Sequence, residues 1–288
     1  MLSMFNRRTT GSVVCPSCGS LVGVRDDTCY SCGRANPGLW GFGPILRSLG
    51  TQFEFGPIVI GVCIALWGAT LLISMAGGGI DTDGILSALS PSIDVMRAFG
   101  ATSAYTVFVE GHWWTVLSAG WLHFGLLHIF MNMFWIRQMG SGISQLFGPA
   151  RTVIIYTAGS VAGFALSVCV ARFLPYLPMA PLGLTAGASA PVFGLIGALY
   201  HYGRSGSGIV KQMALSIMLQ AALFGMIVPG INNYAHLGGF AGGYLASALL
   251  KPMTRERGDH MIIALACLVA TVLSIIASIV TGLPLLRS

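Results

Sequence analysis

Residues 57–76 read PIVIGVCIALWGATLLISMA, twenty consecutive positions without a charge. About 20 such residues, at about 1.5 Å of helical rise each, span the ~30 Å hydrocarbon core of a bilayer. Glu54 and Asp81 bound the stretch, so it predicts a transmembrane helix. Six more apolar runs follow: between His112 and Arg137, from Arg151 to Arg172, and about 185–203, 212–228, 234–250 and 261–281. Composition agrees. The 288 residues are 55% hydrophobic and 8% charged, against about 25% charged in a soluble domain; mean hydropathy is +0.78. Too few charges exist to cover a globule, and disorder needs the opposite composition. The first span lies too far along, behind too much polar sequence, to be a signal peptide. The expected fold class is an all-α polytopic membrane protein with seven spans and a small N-terminal head.

Charge placement orients it. With the N-terminus in the cytoplasm, Arg7, Arg8, Arg25, Arg34, Arg47, Arg137, Arg151, Arg204, Lys211, Lys251, Arg255 and Arg257 fall inside, and only Arg97, Arg172 and Arg287 outside. That is the positive-inside bias. The net charge of +6 is thereby accounted for by membrane orientation. No basic stripe with interleaved aromatics occurs, so no nucleic acid is expected as a partner. The expected location is the bilayer of a bacterial plasma (inner) membrane.

The head reads VVCPSCGSLVGVRDDTCYSCG over 13–33. Cys15-x2-Cys18 and Cys29-x2-Cys32 each end on a glycine, Gly19 or Gly33, which lets the backbone turn so that both sulfurs of a pair face one metal. Four thiolates suit tetrahedral zinc; two disulfides and an iron site are the alternatives, the first disfavoured in a reducing compartment. The site reads as a structural zinc ribbon that such a small unit needs in order to fold. The domain reading is a head at 1–36, a Gly- and Pro-rich linker at 37–56, a six-span domain at 57–250 with a long outer loop at 77–123, and a cytoplasmic loop with the seventh span at 251–288. The sequence names no partner for the head and no oligomeric state.

Polar groups inside a span are expensive and mark function. The second run, HWWTVLSAGWLHFGLLHIFMNMFWIR (112–137), holds His123, His128 and Asn132; the last two are four apart and share a helix face. The fourth opens TAGASAPVFGLIGALYHYG (185–203) with Ser189, and the sixth opens NYAHLGGFAGGYLAS (233–247) with His236. Both enter from outside, so Ser189 and His236 lie about 3–6 Å below the outer helix ends by rise and can meet. His128 joins them only if its helix starts near Phe124, which makes 105–123 an interfacial part of the loop, with Trp113, Trp114 and Trp121 suited to the interface. Pro191 is tolerated in a first turn, which argues for Ser189 at the start of its helix. Gly239-x3-Gly243 and Gly238-x3-Gly242, facing Ala190, Gly194, Gly197 and Ala198, permit close approach of the fourth and sixth spans.

Gly187-x-Ser189, Ala235-His236-x-x-Gly239-x3-Gly243 and His123-x4-His128-x3-Asn132, in this order and topology, resemble the rhomboid intramembrane serine proteases over about residues 55–250. The resemblance implies a six-helix bundle plus a C-terminal seventh helix, with Ser189 as nucleophile and His236 as general base. It implies His128 and Asn132 as oxyanion donors, and His123 in a supporting hydrogen-bonding role. It implies transmembrane proteins as substrates and no cofactor for catalysis. Two departures stand out: Thr115 follows Trp114 where the family often has Arg, which questions the loop's anchoring, and Ala190 replaces a glycine after the serine.

The residues alone agree with a dyad. All nine acids lie outside the spans, so no Ser-His-Asp triad can form there, and a serine needs a base to become nucleophilic. Water must then reach a polar cavity opening to the outer side. The fifth span, with Gln220 and Gly225, and the Pro229–Asn233 loop read as gate and cap. Taken singly, Ser189 is a helix cap, His236 and His128 are interhelical hydrogen bonders, and Asn132 is interhelical glue. His112, His201 and His260 read as interfacial. The alternative function is a rhomboid-like pseudoprotease that binds or escorts membrane clients; a solute transporter would need broken-helix repeats or buried charges.

Overall fold

The apolar runs fold as seven long helices in the computed structural model, which describes residues 7–45, 54–77, 79–81, 88–228 and 230–286. Positions 1–6 of the head, 46–53 of the linker with Arg47, 82–87 of the long loop, Pro229 of the cap and Arg287 lie outside the described residues. In chain order the first long helix is α1 (Phe55–Ala76). The short helices α2 (Ile93–Phe99), α3 (Ala104–Phe108) and α4 (Thr115–Ser118) build the long loop. Then come α5 (Leu126–Phe147), α6 (Pro149–Phe173), α7 (Ser189–Ser205), α8 (Gly208–Ile227), α9 (Asn233–Leu250) and α10 (Gly258–Gly282).

Helices α1, α6, α8 and α10 are each long and apolar enough to cross a membrane. A fifth span results if α5 is joined to residues 115–121, which meet it at 89°. Helices α7 and α9 do not qualify by themselves. The first is only 17 residues long, and the second gives four of its 18 positions to glycine. Helix α7 sits in the middle of the bundle, buried from Ala190 to Leu199, whereas α9 buries its glycine-bearing side and leaves Leu237, Leu245 and Leu249 on the outer surface. The bundle surface is apolar, with Leu72, Ile227 and Leu249 all more than 65% exposed, the surface a bilayer covers and water does not tolerate.

The central contact is α7 against α9, with α6 lying across both. Glycine makes it possible, and the two glycine rows of α9 face different helices. A methyl on Gly239 would strike the Ala190 carbonyl, and one on Gly243 the Gly194 carbonyl, both on α7. A methyl on Gly238 or Gly242 would instead stand 2.6 Å from the Ala162 carbonyl or 2.8 Å from that of Ala158, both on α6. Helix α5 reverses into α6 through Gly148 (φ +84°), and Pro149 occupies the first turn of α6, where no backbone donor is lost.

The long loop is a folded cap. Met96, Ala98, Phe99 and Leu122 are buried beneath it. Helix α10 packs on α6, α2 and α4, and the Trp114 indole N–H donates to Ser278 Oγ of α10 (3.2 Å). The seventh helix therefore braces the loop. Of the three tryptophans expected at the interface, Trp113 is exposed, but Trp121 is 5% exposed and packs edge-on against Tyr156 at 5.5 Å. The 3-10 turn Ala119–Trp121 points it into the core. His112 lies in the loop between α3 and α4, stacked on Trp114 at 4.9 Å. His201 is tied to Ser247 of α9 (2.8 Å).

At the other end of the bundle the head forms a hairpin, β1 (Ser12–Val14) and β2 (Leu21–Gly23), antiparallel with Val13 opposite Val22. It abuts the start of α10: Gly258 N–H donates to the Pro16 carbonyl (3.1 Å), and Arg34 pairs with Asp259 (2.6 Å). Arg151, counted above as a topology signal, is 2% exposed and donates to the carbonyls of Leu250 (3.0 Å) and Lys251 (2.8 Å) and to Thr254 Oγ1 (2.7 Å). It pins the turn between α9 and α10.

Candidate functional site

Residues 185–188, expected as helix, are not helical: Thr185 forms an isolated antiparallel bridge with Thr102, and Ala188 lies in a turn. Thr185 N–H donates to the Thr102 carbonyl (2.7 Å), and Thr102 N–H returns the bond to Thr185 (2.9 Å). Gly187 then turns with φ +136°, its N–H donating to the Ala119 carbonyl (2.9 Å). Only after this bridge and turn does α7 begin, with Ser189 as its first residue. The first amides of a helix have no internal acceptor and carry its positive end.

His236 is the fourth residue of α9 and His128 the third of α5, so the helix break before Leu126 matches the start inferred near Phe124. The three side chains gather at one end of the bundle. A methyl built on Gly187 would lie 2.6 Å from His128 Nε2 and 3.8 Å from Ser189 Oγ, so both atoms border one small space that a side chain at 187 would fill. Asn132, 5% exposed, donates from Nδ2 to the His128 carbonyl one turn back (2.9 Å); its second N–H is free of that bond. His123 is fully buried, and its Nε2 accepts from the Ala188 N–H (3.3 Å). That bond fixes the peptide leading into Ser189.

His236 has no carboxylate behind it: its Nδ1 is buried without a hydrogen-bond partner among the described residues. Its ring is held instead by Phe193, one turn along α7 from Ser189, with centroids 4.1 Å apart and planes 6° from parallel. Sequence reading missed Phe193. An aromatic on an apolar helix looks like core; only its four-residue spacing from Ser189, on the same face, could have flagged it. Among the described residues no hydrogen bond joins Ser189 to His236, and resting active sites commonly tighten only on binding.

The doubt over Thr115 is answered locally. Its hydroxyl donates to the His112 carbonyl (2.8 Å) and lies 2.9 Å from the Thr102 hydroxyl, in a buried pair. Arg97 and Glu110 add an ion pair to the same loop.

In the head, the four sulfurs of Cys15, Cys18, Cys29 and Cys32 lie within 4.8 Å of one another. Cys15 and Cys32 are 3.8 Å apart, Cys18 and Cys29 3.6 Å. A disulfide needs about 2.05 Å. A tetrahedron of sulfurs about 2.3 Å from a common ion has edges of about 3.8 Å, so the set fits one metal ion. Gly19 (φ +84°) and Gly33 (φ +69°) make the two turns. Hydrogen bonding with Ser20 pulls the Cys18 thiol down to about 6, while burial and the neighbouring sulfurs push the Cys32 thiol up.

A family model described as the Rhomboid domain matches residues 110–253, half of the chain. The protein named "Rhomboid protease GluP" of Bacillus subtilis (strain 168) is 30% identical over 165 residues, 56% of this chain and 30% of that protein. "RHOMBOID-like protein 4" of Arabidopsis thaliana is 30% identical over 167 residues, 56% of this chain and 40% of its own length. "Inactive RHOMBOID-like protein 8" of Arabidopsis thaliana is 31% identical over 176 residues, 58% of this chain and 47% of its own. The match thus spans half or less of these relatives, and their names include both a protease and an inactive protein.

Proposed function

The chain belongs to the rhomboid family, and from that premise we propose that it is an intramembrane serine endopeptidase acting through Ser189 and His236. The observation that carries this reading is the pair of helix ends: Ser189 opens α7 and His236 opens α9, the two most closely packed helices, with Phe193 holding the imidazole flat.

In the proposed mechanism His236 takes the Ser189 hydroxyl proton as Oγ attacks the scissile carbonyl carbon. The oxyanion is received by the Ser189 N–H at the positive end of α7, by His128 in its Nε2–H tautomer, and by the free N–H of Asn132. The proton passes from His236 to the leaving amine, the C–N bond breaks, and water, activated by the same imidazole, hydrolyses the ester. His123 supports the site through the Ala188 amide.

Substrates of this reading are transmembrane segments. An intact helix hides its carbonyls in its own hydrogen bonds, so a Gly or Pro that loosens it should favour cleavage, with a small residue at the cut. Helix α8 is the proposed gate. Only 11% of its most apolar window is buried, so it can move with little lost packing. The orientation proposed is the N-terminus in the cytoplasm and the site opening outward, in a bacterial plasma (inner) membrane, with zinc in the head.

Labelling by a fluorophosphonate tests the reading. Wild type should label and should cleave a Gly-containing span, while Ser189→Ala and His236→Ala should do neither. Intact wild type that does neither makes the chain a pseudoprotease that escorts membrane clients.

A further inference from the structure

Asn232 sits four residues before His236, and Thr185 four residues before Ser189. The structure joins them. Asn232 Nδ2 donates to Thr185 Oγ1 (3.1 Å) and to Ser167 Oγ on α6 (2.6 Å), while its Oδ1 accepts the Ala235 N–H (3.0 Å) and its carbonyl the His236 N–H (3.2 Å). Both N–H bonds of the amide and its oxygen are thus committed. The chain of bonds continues through the Thr185–Thr102 backbone pair to the Thr102–Thr115 hydroxyls, so it runs from α6 and α9 across the segment before Ser189 to the long loop.

We propose that Asn232 is a positioning residue that fixes the segment leading into Ser189 relative to the first turn of the His236 helix, a role that rests on the dyad reading above. The physical need is specific to this site. Below the first turn, glycine contacts between α7 and α9 set the helix spacing, but residues 185–188 are a bridge and turn outside either helix. Their only side-chain bond to α9 among the described residues is through Asn232. An ordinary N-cap would use the oxygen alone; here the amide nitrogen reaches two further elements. A misplacement of about 1 Å between reacting groups can cost about 100-fold in rate.

Three variants separate clamp from cap. Asn232→Ser keeps a capping oxygen but is too short to reach Thr185. Asn232→Asp keeps the cap and can accept from the Ser167 and Thr185 hydroxyls, restoring the links with donors reversed. Asn232→Ala loses both. On a Gly-containing transmembrane substrate, Asn232→Ser should lower kcat by about tenfold to 100-fold with KM within about twofold and the melting temperature close to wild type; Asn232→Asp should recover most of the rate. In a Ser189→Cys background, alkylation of the introduced thiol by iodoacetamide, read by mass spectrometry, reports whether His236 still activates that thiol. It should slow in the same order, Ala and Ser below Asp and Asn at position 232. Wild-type rates in Asn232→Ser, or Asn232→Asp as slow as Asn232→Ala, would overturn the proposal. Wild type that neither labels nor cleaves removes the protease reading, and the alkylation rates in the Ser189→Cys background then still decide the clamp.

Discussion

The Phe193 ring lies flat on the His236 imidazole, 4.1 Å between centroids. In a soluble triad a carboxylate holds the base in place; here His236 Nδ1 has no such partner among the described residues, and in the proposed dyad the stack would take over that job. Aromatic pairs contribute about 0.5–1.5 kcal/mol beyond the area they bury. Phe193→Ala should therefore free the ring and lower fluorophosphonate labelling of Ser189 by on the order of tenfold or more, whereas Phe193→Tyr keeps the stack and the rate. Labelling rates of folded protein at matched concentration check this, and an unchanged rate in Phe193→Ala would show that the stack is packing alone.

Gly187 gives the sharpest single-methyl test. Its φ of +136° suits glycine alone, and a methyl there would occupy the space shared by His128 Nε2 and Ser189 Oγ. Backbone strain of this kind costs about 1–3 kcal/mol. Gly187→Ala should lower the melting temperature modestly and nearly abolish labelling, since the same methyl blocks the oxyanion position. Loss of stability with labelling intact would place the oxyanion elsewhere.

Asn132 commits one N–H to the His128 carbonyl, and the proposed mechanism gives its other N–H to the oxyanion. Removing a single such donor from a soluble serine protease costs about 2.7–4 kcal/mol. Asn132→Ala should accordingly reduce kcat by about 100-fold to 1,000-fold and leave the thermal transition almost unmoved. A matching fall in stability would mark the residue as interhelical glue.

How far the sequence reaches depends on the length scale of the cause. The spans follow from uncharged runs, and the helix start near Phe124 follows from rise per residue, because both are local. The cysteine knuckles carry their own spacing. What escaped were relations between distant elements. Trp121 looks interfacial by type, yet a 3-10 turn aims it at Tyr156. Residues 185–188 look helical, yet Thr102, more than eighty positions earlier, holds Thr185 in an isolated bridge and the helix starts only at Ser189. Phe193 is one of many apolar residues until α9 brings His236 onto it. Hydropathy likewise missed why α7 and α9 tolerate polar residues: α7 is enclosed over Ala190–Leu199, and His236 and Ser247 lie on the side of α9 that faces protein.

Thr115 stands in the long loop where an arginine was expected, and its hydroxyl pairs with that of Thr102. Both residues are nearly inaccessible. Thr115→Val removes one partner and leaves the Thr102 hydroxyl buried and unpaired, a cost of about 1–3 kcal/mol. The melting temperature should fall, and Thr102→Val/Thr115→Val should recover part of the loss because no orphan remains. Additive losses in the double variant would show that the two hydroxyls do not interact.

The four-cysteine cluster of the head lies at the far end of the bundle from Ser189. Helix α5, with His128 in its first turn and Phe147 at its other end, has 22 residues and so spans about 33 Å. The head has only a small apolar cluster of its own, Val13, Val22 and Val24 with Cys15 and Cys29, too little to fold unaided. Purified protein should contain one zinc per chain by elemental analysis, and Cys15→Ser/Cys29→Ser should contain none. In that variant, or after chelation, trypsin should cut at Arg25 and Arg34, which the hairpin and the Arg34–Asp259 pair otherwise hold. Fluorophosphonate labelling of Ser189 should stay within about twofold, because no described residue of the head reaches the serine end. Trypsin resistance in the metal-free variant would mean that docking against α10, and not the metal, holds the hairpin together.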